Sequence, residues 1–274
     1  MKKFHIIVFL SCALAPISAQ CKEVLKICSA NRGAPIEVHG ANGEWDGYEI
    51  YLLQKFAQQI NTNIEFIQVN SFPQLFTSLA NNECDAAASG IWIRPERQEK
   101  YLFSDAIYET SFGAVELKSN AGILYDFNNI NKNNVRIAVE SGTVQSKYVK
   151  AEFPQAVVHF FDSHDSAMQS LCEHKSDLYI ASSLVTSFLE KQDPNTFHFI
   201  KPISLVPPPA MYSANLYMQV GVMFRKDEPV LRNKFNRFLE TFKDSGELDN
   251  LKKFYFENSN WDKENSYHTD EIEQ

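Results

Sequence analysis

The chain lacks the residue spacings on which most metal and hydrolytic sites are built. Its cysteines form no C-x-x-C pair and its histidines no H-x-x-x-H pair, so a zinc site is not expected. G-x-S-x-G and H-E-x-x-H are both absent, which removes the sequence marks of an esterase-type serine nucleophile and of a zinc peptidase. Beyond the N-terminal stretch no apolar run reaches the ~20 residues that a membrane span requires. No Gly/Ser-rich linker divides the chain into independent beads. Positive charge is also in deficit: the formal net charge is −8, which disfavours nucleic acid and anionic membrane surfaces as partners.

What is present begins with an export pattern. Lys2 and Lys3 precede an apolar run from Ile6 to Ala15, and Ala19 stands where small residues precede signal-peptidase cleavage. Residues 1–19 are therefore expected to be a signal peptide, and the mature protein to be exported in soluble form. Removing them deletes two lysines and shifts the formal charge from −8 to −10. Gln20 occupies the position where a lipoprotein signal requires Gly, Ala or Ser, so lipidation of Cys21 is not expected.

The most informative stretch runs from Phe72 to Tyr108, FPQLFTSLANNECDAAASGIWIRPERQEKYLFSDAIY. An amphipathic helix carrying Leu75, Phe76 and Leu79 leads through polar residues to Asp85 and a short apolar strand, Ala86 to Ala88. A Ser89-Gly90 turn follows, with Arg97 just beyond. In open α/β sheets, ligands bind in the crevice at the carboxyl ends of the strands. Arg is the side chain best shaped to hold a carboxylate there with two parallel hydrogen bonds.

The same pattern occurs once more. SLANNECDAAASG (Ser78 to Gly90) is echoed by SLCEHKSDLYIASS (Ser170 to Ser183). Further strands are predicted at Val24 to Ser29, Asn63 to Gln68, Val135 to Val139 and Val157 to Phe161, alternating with helical segments. Alternating β and α elements define an α/β architecture, and the echo predicts two lobes of matching topology. The chain is predicted to leave the first lobe near Ile107 to Phe112 and return near Tyr212 to Met218, after the rigid Pro207 to Pro209.

The pattern L-x-x-L-x-x-x-x-x-D-A…S-G-x-x-x-x-P-E-R-x-x-x-x-x-F-S resembles the signature of periplasmic solute-binding proteins of the polar amino-acid ABC transporter class. Three other segments are similar to that family in the same order: GEWDGYEIYLLQKFA from Gly43, VRIAVESGTVQSKYV from Val135, and VGVMFRKDEPVLRNKFNRFLETFKDSGELDNLKKFYF from Val220. The resemblance implies a type II periplasmic-binding fold, α/β and two-lobed. Each lobe would be a mixed, mostly parallel sheet flanked by helices, and two crossover segments would join them. Lobe one would comprise residues 20–110 plus 217–274, and lobe two residues 111–216.

The resemblance also implies a site. Arg97, just beyond the Gly90 turn, matches the arginine that holds the ligand carboxylate, with Trp92 and Val144 supplying backbone amides. The Ser141-Gly142-Thr143 turn adds a physical reason, because exposed amides at a helix N-terminus attract anions. Phe72 matches one stacking aromatic. The other stacking position falls on Gly33, so Trp92 is expected to supply the missing face. The acid that usually neutralises the ligand ammonium is replaced by Ser182, and Ala30 lacks the acid that some basic-amino-acid binders carry. A buried ammonium without a carboxylate is costly, so Glu140, beside the Ser-Gly-Thr turn, is expected to take a cationic end of the ligand. If the ligand were instead a dicarboxylate, Arg32 or Arg94 would be the second anion site.

The four cysteines that remain after cleavage allow three full pairings. In the implied fold Cys21 and Cys84 each precede one of two neighbouring parallel strands, which predicts a Cys21–Cys84 disulfide and leaves Cys172 unpaired. The expected function is that of a monomeric binding protein without enzymatic activity or cofactor. It would deliver a polar amino acid, arginine or lysine first, to the membrane permease of an importer. The alternatives are an enzyme on the same scaffold, similar to cyclohexadienyl or prephenate dehydratases, and a sensory binding protein without a transporter.

Overall fold

The computed structural model describes residues 24–40, 42–124, 127–201 and 218–257. Two five-stranded sheets organise them. In the first, the strands Asn63–Gln68, Val24–Ser29, Ala86–Ala87, Met223–Arg225 and Tyr101–Phe103 lie in that order. The first three run parallel, and Met223–Arg225 runs against both of its neighbours. The second sheet repeats this plan with Val157–Phe161, Arg136–Glu140, Leu178–Ser182, Phe112–Leu117 and Phe197–Ile200. The sequence echo between Ser78–Gly90 and Ser170–Ser183 is this shared topology. Only the origin of the reversed strand differs, being the returning chain in the first lobe and the entering chain in the second.

Helices cover both faces of each sheet, so several inner strands are buried on both sides instead of alternating between core and solvent. Phe112–Leu117 and Leu178–Ser182 are buried at every position. Helix Phe72–Ala80 begins after extended Ser71, with Pro73 in its first turn where a missing N–H costs nothing. It sets Phe72, Leu75 and Leu79 against the first sheet. One apolar cluster runs through both lobes, from Phe56 and Phe235 to Phe112 and Tyr148. The lobes are joined where Tyr108–Thr110 pairs antiparallel with Met218–Val220, so outgoing and returning chains lie side by side. Residues 1–23, Pro207 to Pro209, Tyr212 to Leu216 and the tail beyond Glu257 lie outside the described residues. Among the described residues no helix is long and apolar enough to cross a membrane.

The cysteine pairing differs from the expectation. Cys84 is bonded to Cys28, with Cα atoms 5.8 Å apart, so it is not available to Cys21. The two strands are indeed parallel neighbours, with Cys28 opposite Ala87. However, Cys84 sits in the turn that ends helix Phe72–Ala80 and enters the same apolar layer as the buried Cys28 side chain. The choice of partner was set by which face of the strand that turn folds over. The bridge closes a separation of 56 residues. Replacing both cysteines with alanine is expected to lower stability by ~2–4 kcal/mol. Urea denaturation of parent and variant measures this, and equal midpoints would contradict it.

Candidate ligand-binding cleft

The site residues converge where the carboxyl ends of the two sheets face each other. Arg97 lies in the short helix Pro95–Gln98 of lobe one. Its Nη1 donates to the Trp92 carbonyl at 2.9 Å, and its guanidinium stands 5.4 Å from the Phe72 ring centre and 5.1 Å from that of Phe76. Among the described residues no carboxylate pairs with it. Loss of water lowers its pKa to about 10, Glu96 opposes this, and the neighbouring Arg32 and Arg94 lower it further. It remains charged at neutral pH, so the cleft holds a desolvated cation that has kept most of its donors.

Across the cleft, the Ser141–Thr143 turn opens helix Val144–Glu152. The Thr143 hydroxyl caps that helix, accepting from Ser146 N–H at 3.0 Å and donating to the Glu140 carbonyl at 2.7 Å. The amides of Thr143 and Val144 find no acceptor among the described residues, as expected of a first helical turn. Gly142 has φ +72, and a Cβ placed there would lie 2.4 Å from Pro73 Cγ in the other lobe. The turn thus reaches Phe72's neighbour only because this residue is glycine. Gly142→Ala adds left-handed strain of ~1–2 kcal/mol and a methyl that collides with a rigid ring. It is expected to weaken ligand-induced thermal stabilisation while the protein still folds, and a variant that binds like the parent would contradict this.

Glu140 ends strand Arg136–Glu140 and is 2% exposed. Its Oε2 lies 3.0 Å from Arg32 Nε. Neither oxygen accepts a well-aligned hydrogen bond, so the contact is an ion pair without the geometry of a fork. Burial pushes its pKa up to about 7, Arg32 pulls it down, and Glu37 and Asp165 push it up again. Arg32 is the residue that ties the site together, because its guanidinium also stands 4.9 Å from the Phe72 ring centre.

Other expected positions are occupied differently. The Gly90 N–H, at φ +60, donates to both carboxyl oxygens of Glu49 at 3.0 and 3.2 Å, so this amide is already engaged. Trp92 is buried and packs across the lobes on Phe112, centroids 5.0 Å apart, and Phe112 stacks on Tyr148 at 4.3 Å. At Gly33 the vacant side-chain space is taken by His164 of lobe two, whose Nε2 would be 2.6 Å from an added Cβ. Ser182 lies in a hydroxyl cluster, 2.8 Å from Thr110 Oγ1, and its Oγ accepts from Leu184 N–H. Among the described residues no carboxylate hydrogen-bonds into that cluster.

Sequence reasoning missed two buried acids behind the Ser89-Gly90 turn. Glu37 accepts from Ser29 Oγ at 2.6 Å, from Arg32 N–H at 3.0 Å, and from Ser89 Oγ. Its pKa is raised because burial outweighs those bonds. Glu49 also accepts from the Tyr108 hydroxyl at 2.7 Å. Burial raises Glu49 to about 8, nearby Glu37 adds to this, and the bonds from Tyr108 and Gly90 oppose it. The signal for Glu49 was visible as the acid of the Gly-aromatic-acid-aliphatic run. Nothing local distinguished Glu37 from a solvated loop acid.

Two matching lobes, reversed strands in equivalent places and a cleft at the sheet ends define a two-lobed periplasmic-binding architecture. The family model for bacterial extracellular solute-binding proteins, family 3, matches residues 25–258, and the chain belongs to that family. It is 26% identical over 222 residues to the ABC transporter arginine-binding protein 1 of Escherichia coli, covering 81% of this chain and 86% of that protein. It is also 21% identical over 256 residues to the cyclohexadienyl dehydratase of Pseudomonas aeruginosa, covering 86% and 94%. Among solved structures, an ancestral amino acid-binding protein described as a precursor of cyclohexadienyl dehydratase aligns with TM-score 0.75 and 24% identity, over 85% of this chain and 95% of that one.

Proposed function

We propose that the protein is the periplasmic substrate-binding component of an amino-acid ABC importer. In this reading residues 20–110 plus 217–274 and residues 111–216 close about the paired crossover strands on a small carboxylate-bearing ligand, which is then released to a membrane permease. The observation that carries the reading is Arg97, a desolvated guanidinium with no carboxylate partner among the described residues. It stands against Phe72, and the unclaimed amides of Thr143 and Val144 lie on the facing lobe. A ligand carboxylate would supply the missing acceptor with charge-assisted bonds. Lobe closure then follows from contacts that exist only when both lobes touch the ligand.

Glu140 gives the side-chain preference. A guanidinium or ammonium reaching it gains a paired carboxylate that a neutral ligand end does not use, which favours arginine or lysine. The α-ammonium meets the hydroxyls of Thr110 and Ser182 in place of a carboxylate. A thermal-shift screen of the exported protein with arginine, lysine, histidine, glutamine, glutamate and succinate tests this. A ligand at a hundredfold over its Kd adds about 2.7 kcal/mol of stability. Glu140→Gln should weaken arginine much more than glutamine, and a dicarboxylate proving tightest would overturn the preference.

Glu140 also supports a second reading. A buried carboxyl titrating near neutrality is suited to general acid catalysis, as an enzyme on this scaffold would require. Turnover of prephenate by the parent, lost in Glu140→Gln, would establish it in place of the first.

A further inference from the structure

The pair formed by Arg32 and Glu140 crosses the cleft. Arg32 belongs to the loop after strand Val24–Ser29 in lobe one, and Glu140 to the end of strand Arg136–Glu140 in lobe two. Both side chains are almost without solvent contact, and Nε and Oε2 are 3.0 Å apart. The same guanidinium rests against Phe72. A side chain of the protein is therefore clamped between an aromatic ring of one lobe and a carboxylate of the other. That is how a ligand's cationic end would be held, by cation–π attraction and a charge pair.

The clamp is incomplete. Arg32 approaches through Nε, and both Glu140 oxygens lack an aligned donor although they are buried. A free guanidinium entering from the cleft would present two parallel N–H groups to the same carboxylate. The tethered pair is weaker than the one it prevents, so it is displaceable.

We infer that Arg32 is a built-in occupant of the ligand's cation subsite, latching the ligand-free lobes together through Glu140 until a better cation displaces it. The specificity part of this inference rests on the function proposed above, whereas the latch does not. A tethered group competes at an effective concentration that a short connection sets in the millimolar range. Apparent affinity falls by the fraction of molecules in the competent state, so a latch closed nine-tenths of the time weakens binding about tenfold. Only ligands whose cation pairs better than Arg32 overcome it, which selects against weak cationic binders.

The test compares the parent with Arg32→Gln, Glu140→Gln and the double variant. Small-angle X-ray scattering of the ligand-free proteins should show a more compact parent and an equally expanded set of three variants. Calorimetry should show L-arginine binding Arg32→Gln about tenfold more tightly than the parent. In the Glu140→Gln background, substituting Arg32 should change neither readout, because the coupling requires both partners. Arg32→Met keeps bulk over Phe72 and replaces Arg32→Gln if the latter melts early. Unchanged compactness in the Arg32 variants overturns the latch. Loss of arginine or glutamate binding on substituting Arg32 overturns the competitor role and makes Arg32 an anion seat. If no amino acid binds any of the proteins, the proposed ligand class fails, and scattering alone still decides the latch.

Discussion

Arg97→Ala is expected to abolish ligand-induced stabilisation while leaving the ligand-free protein folded and nearly as stable as the parent. Among the described residues the guanidinium makes one hydrogen bond, to the Trp92 carbonyl, and contacts with Phe72 and Phe76. Against these stand its desolvation and the neighbouring charges of Arg32 and Arg94. Removing it therefore costs some packing and relieves some repulsion, and the net change in folding stability should stay below about 1 kcal/mol. Binding is different, because truncation would strand a buried ligand carboxylate without its partner. Such losses run to ~2–5 kcal/mol, or 30-fold to several thousandfold in Kd. Arg97→Lys should recover only part of this, since an ammonium keeps the charge but not the two-pronged geometry. Calorimetry with the best ligand of the screen decides the matter. An alanine variant that binds as the parent does would remove Arg97 from the site.

The ligand-free protein should lose stability as pH rises from about 5 to above 8. Glu49 in the folded state titrates at about 8 instead of its ordinary 4.5, chiefly because it is buried. Between those values the folded state binds a proton that the unfolded state has released, and stability must fall with increasing pH. The full contribution is present below the unfolded pKa and is lost as pH passes the folded one. Each such group contributes a slope of at most about 1.4 kcal/mol per pH unit. Over the whole window the loss attributable to Glu49 is on the order of 5 kcal/mol, and Glu140, raised to about 7, acts in the same direction. Glu49→Gln mimics the protonated form: its amide oxygen can still accept from Gly90 N–H. The variant should flatten the profile and exceed the parent above pH 8. Urea midpoints across the range measure this. A parent profile that stays flat, or a variant profile parallel to it, would contradict the assignment.

Local pattern carried much of the architecture. Apolar runs bounded by turn residues placed strands at Val24–Ser29, Asn63–Gln68 and Val157–Phe161, and the structure has strands over these same ranges. The strand expected at Val135 to Val139 is displaced by one residue to Arg136–Glu140, an end effect that hydrogen bonding with neighbours decides. The turn chemistry of Ser141-Gly142-Thr143 and the helix after it were legible for the same reason. Hydroxyl caps and glycine conformations act over three or four residues, and all the information needed lies within that window.

The sequence by itself determined the alternation of strands and helices, the doubling of the topological unit, and the places of Arg97, Phe72 and the Ser-Gly-Thr turn along the chain. It did not determine partners. Cys28 and Cys84 are separated by 56 residues, Glu49 and Gly90 by 41, and Arg32 and Glu140 belong to different lobes. In each case the meeting depends on sheet register, on which face a turn folds over, or on how the lobes close, and none of these leaves a mark in a short window. The titration of Glu49 and Glu140 was beyond reach for a related reason: burial sets it, and burial belongs to the assembled fold. Tertiary structure alone decided that the carboxylate expected to await a ligand already has an arginine beside it.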